Sequence, residues 1–152
     1  MDQPPKTPPS WTFVFVMGTS RQIGYLQKKY PNAYLVDLYA WKRSLYIPTE
    51  EGDVEARRWL TKTSIPFLAD ILRKNNVVIV IGEFPSKAER QLYLQLSMDS
   101  RIHTIGYYFY SEQVIPKDAS EKRWLTQYNN EFELPSVEEG FDELHFILEM
   151  GN

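Results

Sequence analysis

Gly18 and Gly24 frame the short polar stretch Thr19-Ser20-Arg21-Gln22-Ile23, directly after the apolar run Phe13-Val14-Phe15-Val16-Met17. A buried strand that breaks at a glycine and opens into a helix is the layout of a phosphate-binding loop. Its backbone N–H groups cradle phosphate oxygens, and the helix dipole favours the anion. The full GxxxxGK[ST] pattern adds a lysine for the β- and γ-phosphates and a hydroxyl for magnesium. Here the second glycine falls one residue late and is followed by Tyr25 and Leu26. At strict spacing, Gly24 and Tyr25 occupy the lysine and hydroxyl positions, so neither alignment restores the chemistry. Gly18, Thr19, Ser20, Arg21 and Gly24 therefore read as a degenerate phosphate loop, in which Arg21 partly replaces the missing lysine. No resident cofactor is expected; weak anion or nucleotide binding stays open beside the reading of a turn that only connects strand to helix.

The elements that must position this loop follow from pattern and punctuation. Four prolines among the first ten residues exclude helix or ladder, so residues 1–10 read as an extended tail and 11–152 as one domain. After the first strand the pattern predicts a helix over Arg21–Tyr30, ended by Pro31, and a strand over Ala33–Asp37. It predicts a helix over Glu55–Lys62, then a second helical segment capped by Ser64 with Pro66 in its first turn. Val77–Ile81 is β-branched on both faces, as a central parallel strand requires. Ser86-Lys87-Ala88-Glu89 is a capping-box pattern, with Leu92 and Leu96 one turn apart in the helix that follows. Ile102–Tyr110 is a strand, Lys117–Tyr128 a polar helix and Leu144–Leu148 the last strand. Within Tyr107-Tyr108-Phe109-Tyr110, alternation puts half of the aromatics in the core. Strands alternating with helices imply an α/β, doubly wound parallel sheet of about five strands in a single domain.

Composition narrows the classes. Of 152 residues, 43% are apolar and 24% charged, which excludes global disorder, and the net charge of −3 gives no chain-wide nucleic-acid signature. No cysteine is present, so disulfides and thiolate metal sites are excluded, and no metal site is expected. The two histidines, His103 and His145, sit in apolar runs and read as packed strand residues. No apolar run reaches the roughly 20 residues of a membrane span, and the N-terminus lacks a secretory pattern. An intracellular location, cytoplasmic or nuclear, is the expectation.

The order of segments after the proline tail resembles the P-loop kinases of the polynucleotide 5′-kinase type. Four places carry the likeness: the altered loop at Gly18; Val36-Asp37-Leu38-Tyr39-Ala40-Trp41-Lys42-Arg43; VVIVIGEFPSKAER from Val77 to Arg90; and Phe132-Glu133-Leu134-Pro135 followed by Glu139-Gly140-Phe141. The last is similar to the family's F-E-x-P…E-G-F leading into the final strand and is the most specific match. The resemblance implies that Asp37 stands at the general-base position, followed by Arg43 as a basic residue, and that Pro85 and Arg90 match the helix after the third strand.

The departures fall on the triphosphate site. The loop lysine and hydroxyl are missing, an apolar residue near Ile81 replaces the third-strand acid, and the lid supplies Lys122 and Arg123 without an arginine-rich run. A base needs a positioned phosphoryl donor, so Asp37 also reads as a strand-end acid that caps a loop or pairs with Arg43. Glu83 reads as a solvated loop acid rather than a displaced metal ligand, and Lys28 and Lys29 as a solvated helix face. Tyr39, Trp41, Lys42 and Arg43, joined by Arg90, form the candidate partner or nucleic-acid face, with a core role for Trp41 equally open. The resulting expectation is a pseudokinase-like binding or scaffolding module. Its partner is a protein, with a nucleic-acid end as second candidate and no membrane. The alternatives are an active ATP-dependent polynucleotide 5′-kinase with unusual site residues, or a domain that binds a nucleotide or nucleic-acid end without turnover.

Overall fold

A computed structural model describes residues 11–18, 23–44, 50–98, 102–111 and 118–149. The five strands are β1 (Trp11–Gly18), β2 (Tyr34–Asp37), β3 (Val77–Ile81), β4 (Ile102–Ser111) and β5 (Glu143–Glu149). They form one sheet in the order β2-β3-β1-β4-β5, and every pairing is parallel. This is the expected α/β architecture in a single domain, consistent with a P-loop-kinase-like doubly wound fold.

The helices are α1 (Ile23–Lys29), α2 (Leu38–Ser44), α3 (Glu50–Lys74), α4 (Lys87–Leu94) and α5 (Ala119–Glu131), with short 3-10 turns at Gln95–Ser97 and Val137–Glu139. The connection from β1 to β2 runs one way along the sheet and the later ones run back. Right-handed crossovers therefore place helices on both faces.

Alternation in β1 feeds two cores. Phe13, Phe15 and Met17 pack with Val78 and Val80 against Leu68, Ile71 and Leu72 of α3 and Tyr93 and Leu94 of α4. Val14 and Val16 pack with Ile79, Ile81, Tyr107 and Phe109 against Leu26 of α1. Each such fully buried side chain contributes about 1.5–3 kcal/mol, which is why the central strands have no polar face.

Three expected local features differ. The segments on either side of Ser64 and Pro66 are one continuous helix, α3. Ser64 is fully buried and its hydroxyl shares a 2.8 Å hydrogen bond with the Tyr93 hydroxyl, so it does not cap. An interior proline costs a helix about 3 kcal/mol, and the buried row Leu68, Ile71 and Leu72 beyond it offsets that cost. In α4 the buried residues are Arg90, Tyr93 and Leu94, while Leu92 is 42% exposed. His103 and His145 lie in strands but not in the core, both side chains being at least 40% exposed beside Glu143. His103 stands near the start of β4, ahead of its pairing with β5, and His145 lies on the edge strand β5 with its ring stacked 5.1 Å from that of Tyr107.

Helix α2 has no counterpart among the expected elements; the other boundaries moved little. Strand β2 and helix α1 have the expected types, the Ser86 hydroxyl caps α4 by accepting from Glu89 N, and Tyr107 and Phe109 are buried as alternation requires. The 1–10 tail lies outside the described residues.

Candidate functional site

In an open α/β sheet the ligand crevice lies beyond the carboxyl ends of the strands, where outgoing connections diverge. Here β1 leaves toward β2 while its neighbour β4 leaves toward β5. Gly18, Asp37 and Ile81 end β1, β2 and β3 at that rim.

Gly18 is a glycine for steric reasons. Its φ is +111°, and a Cβ there would stand 2.0 Å from the backbone oxygen of Phe109, its register partner on β4. Its own carbonyl accepts a 2.6 Å hydrogen bond from the Tyr39 hydroxyl. Gly24, the second residue of α1, is exposed with nothing within 4 Å of a Cβ. Thr19, Ser20 and Arg21 lie outside the described residues.

Asp37 ends β2 and begins α2. Its Oδ1 accepts from Tyr39 N at 3.0 Å and from Ala40 N at 3.2 Å. These are the orphan donors of a helix start, so the carboxylate acts as an N-cap. Ile81 at the end of β3 is 1% exposed and packs into the core beneath α1, leaving no acid at that position.

The expected partner face separates into different roles. Trp41 is half-buried, with its ring 5.3 Å from that of Phe67 on α3. Lys42 Nζ donates to Glu83 Oε1 at 3.2 Å, with the side chains 14% and 16% exposed. Glu83 is therefore a half-buried ion-pair partner and not a solvated loop acid. The backbone of Arg43 lies in α2, and its side chain is outside the described set. Lys28 and Lys29 are exposed as expected, with Lys29 Nζ 5.5 Å from the Tyr107 ring centre.

Arg90 is not on a surface at all. It is 0% exposed, and its guanidinium is saturated. Nε and Nη2 donate to the Glu139 carboxylate, Nη1 to the carbonyls of Phe84 and Pro85, and Nη2 to the Glu133 carbonyl. It ties the loop after β3 to the segment that leads into β5. That loop holds Phe84 at φ +43°, a left-handed conformation that costs a bulky residue about 1–2 kcal/mol. The Phe84 ring compensates by packing 5.3 Å from Phe15 and 5.0 Å from Tyr93.

A small cavity of about 40 Å³ opens between α2, α3, this loop and α4, lined by Tyr39, Lys42, Arg57, Glu83, Glu89 and Tyr93 among others. That volume admits only one or a few water-sized groups. Arg57 bridges it to α5, donating from Nη2 to Glu89 and, at 2.5 Å, to Glu131 Oε2, with Nη1 on Glu131 Oε1 at 2.9 Å. The Glu131 hydrogen bond raises the Arg57 guanidinium above its ordinary value. Burial pushes the Glu89 carboxyl up, against the opposing pull of Arg57. This network was not foreseen from the sequence, because its members are some 30 to 70 positions apart and look like helix-surface charges.

A larger groove of about 580 Å³ runs beside α5, lined by Val54, Lys122, Arg123, Thr126, Gln127 and Asn130. Thus the structure gathers Gly18, Asp37, Tyr39 and Lys42 at one rim, while Lys122 and Arg123 lie on α5. It removes Arg90 to the interior. Among the described residues, no His, Asp and Glu group is placed to hold a metal ion, and no helix is long and apolar enough to cross a membrane. No known protein family matches the chain, and no curated protein is significantly similar to it.

Proposed function

We propose that this domain is a polynucleotide-kinase-like fold without phosphoryl transfer, serving as a protein-binding or scaffolding module. The observation that carries the reading is the engagement of Asp37. The carboxylate at the base position spends Oδ1 on two backbone donors of α2, while Ile81 fills the place of the third-strand acid. Phosphoryl transfer depends on groups that neutralise charge developing on the transferred group and on a base free to accept a proton. At Ile81 the rim supplies no such group, and at Asp37 one of the two carboxylate oxygens is already engaged by the backbone of α2.

A protein partner is favoured over a nucleic-acid end. Of the aromatic and basic residues expected to grip a strand, Arg90 is buried, Trp41 packs on Phe67, and Lys42 is paired with Glu83. Stacking platforms and phosphate contacts both need exposed groups.

The test is a thermal-shift series with ATP and magnesium. A ligand at a hundredfold excess over Kd stabilises the native state by about 2.7 kcal/mol. The expected result is no shift with ATP and magnesium at millimolar concentration. A saturable shift that requires magnesium would move the reading to a nucleotide-binding domain.

A further inference from the structure

Strand β5 ends the sheet. It pairs only with β4, and among the described residues nothing pairs with its outer side. An open edge is a template for another strand, and folded proteins blunt such edges with short strands, proline, lysine or bulges. The opposite edge, β2, is blunted by its length of four residues. Strand β5 has seven residues, Glu143-Leu144-His145-Phe146-Ile147-Leu148-Glu149, with no proline, lysine or arginine, and its two glutamates stand at the ends.

That sequence reads almost the same in both directions. About Phe146, Leu144 mirrors Leu148, Glu143 mirrors Glu149, and only His145 and Ile147 differ. A near-palindromic edge strand is complementary to itself when a second copy pairs antiparallel across a two-fold axis, because such an interface brings the same patch of both copies together. Leu144, Phe146 and Leu148 share one face of the strand, and on it Phe146 is 46% and Leu148 37% exposed. Phe146 also has a rigid backing. Its ring meets Tyr108 edge-on at 5.9 Å, and Tyr108 stacks on Phe132 at 5.5 Å and Tyr110 at 5.8 Å. An exposed aromatic held by packed neighbours is the usual anchor of an interface. Glu143 is engaged by His103 and His145 of its own chain, and the register sets it opposite Glu149, so a like-charge pair at each end opposes the apolar centre.

We infer that β5 is a homodimer interface: two copies join edge to edge, antiparallel, with Phe146 opposite Phe146, into one ten-stranded sheet. The inference goes beyond the proposed function and stands whether or not the domain transfers phosphate. Directly opposed residues in an antiparallel pair have Cβ atoms about 4.5–5.5 Å apart. The register therefore fixes which single cysteines cross-link, in a chain that has none of its own.

The experiment combines mass measurement with three cysteine variants. By light scattering across a concentration series, the full chain should rise from 17.9 kDa toward twice that mass. Under mild oxidation Phe146→Cys should cross-link to itself, Leu144→Cys alone should not, and Leu144→Cys mixed with Leu148→Cys should give the mixed dimer. Phe146→Lys, a change at a half-exposed side chain, should weaken association at least about tenfold. A constant monomer mass would overturn the inference, as would Leu144→Cys cross-linking as readily as Phe146→Cys.

Discussion

Arg90 and Glu139 form a two-point ion pair sealed inside the protein. Nε donates to Oε1 at 2.7 Å and Nη2 to Oε2 at 3.2 Å, with the side chains 0% and 5% exposed. Glu139 Oε2 also accepts from Ser136 N at 2.8 Å. The helix after β3 and the Phe132–Phe141 segment are thus one physical unit. Removing one partner of a buried pair leaves an uncompensated charge, which costs about 3–5 kcal/mol. Glu139→Leu and Arg90→Met should each lose that much in urea denaturation. Arg90→Lys should not rescue, because an ammonium cannot replace a guanidinium fork.

Gly18 and Gly24 should respond in opposite ways to alanine. At Gly18 the new methyl meets a backbone oxygen and the φ is +111°, so overpacking and strain should cost about 2–5 kcal/mol. At Gly24 the space is open, and removing a helix glycine should add about 0.5–1 kcal/mol of stability. Chemical denaturation of both variants checks the pair. A destabilised Gly24→Ala would show that this glycine has a conformational role.

The Asp37 cap should show in the same assay. Asp37→Ala removes the acceptor for Tyr39 N and Ala40 N and should cost about 1 kcal/mol, whereas Asp37→Asn, itself a good cap, should cost only a few tenths. Equal losses in both variants would mean that charge and not capping holds the helix start.

Glu89 sets a pH dependence with a definite sign. Burial raises its folded-state pKa above the ordinary 4.5 of a glutamate, so the native protein holds this proton to higher pH than the unfolded chain. Where the native state binds more protons, stability falls as pH rises. The Glu89 contribution should therefore decline through the window upward from 4.5 and level off once the native carboxyl has ionised. Glu89→Gln should remove that slope. Subtracting its stability–pH curve from that of the unchanged chain cancels groups of opposite sign, such as Glu143, whose hydrogen bond to His103 lowers its pKa. A difference curve that is flat or rises with pH would contradict the assignment.

How far the sequence carried this fold can be seen in particular residues. Val77–Ile81 was legible as a buried parallel strand because β-branched residues on both faces have no other use. The Ser86 cap and the split of Tyr107 and Phe109 from Tyr108 followed from local pattern alone. Pro66 misled because proline usually marks a boundary, and only the tertiary packing of α3 shows that its cost is met. Arg90 misled for a related reason. Arginine is almost never fully buried without partners, and here the partners come from the chain segments around 84, 85, 133 and 139. The Phe132-Glu133-Leu134-Pro135 and Glu139-Gly140-Phe141 pattern was conspicuous without a catalytic reason, and the Arg90 cradle supplies a structural one. The Arg57 bridge was invisible because nothing local in α3, α4 or α5 sets it apart from solvated charge.

The most direct test of the central claim is transfer of radiolabelled phosphate from ATP to a 5′-hydroxyl oligonucleotide by the full chain in the presence of magnesium. With Asp37 engaged as a helix cap and Ile81 at the third strand end, the expected result is no incorporation above the no-protein control. Robust incorporation that disappears in Asp37→Ala, with the variant still folded, would contradict the proposal and identify Asp37 as a working base.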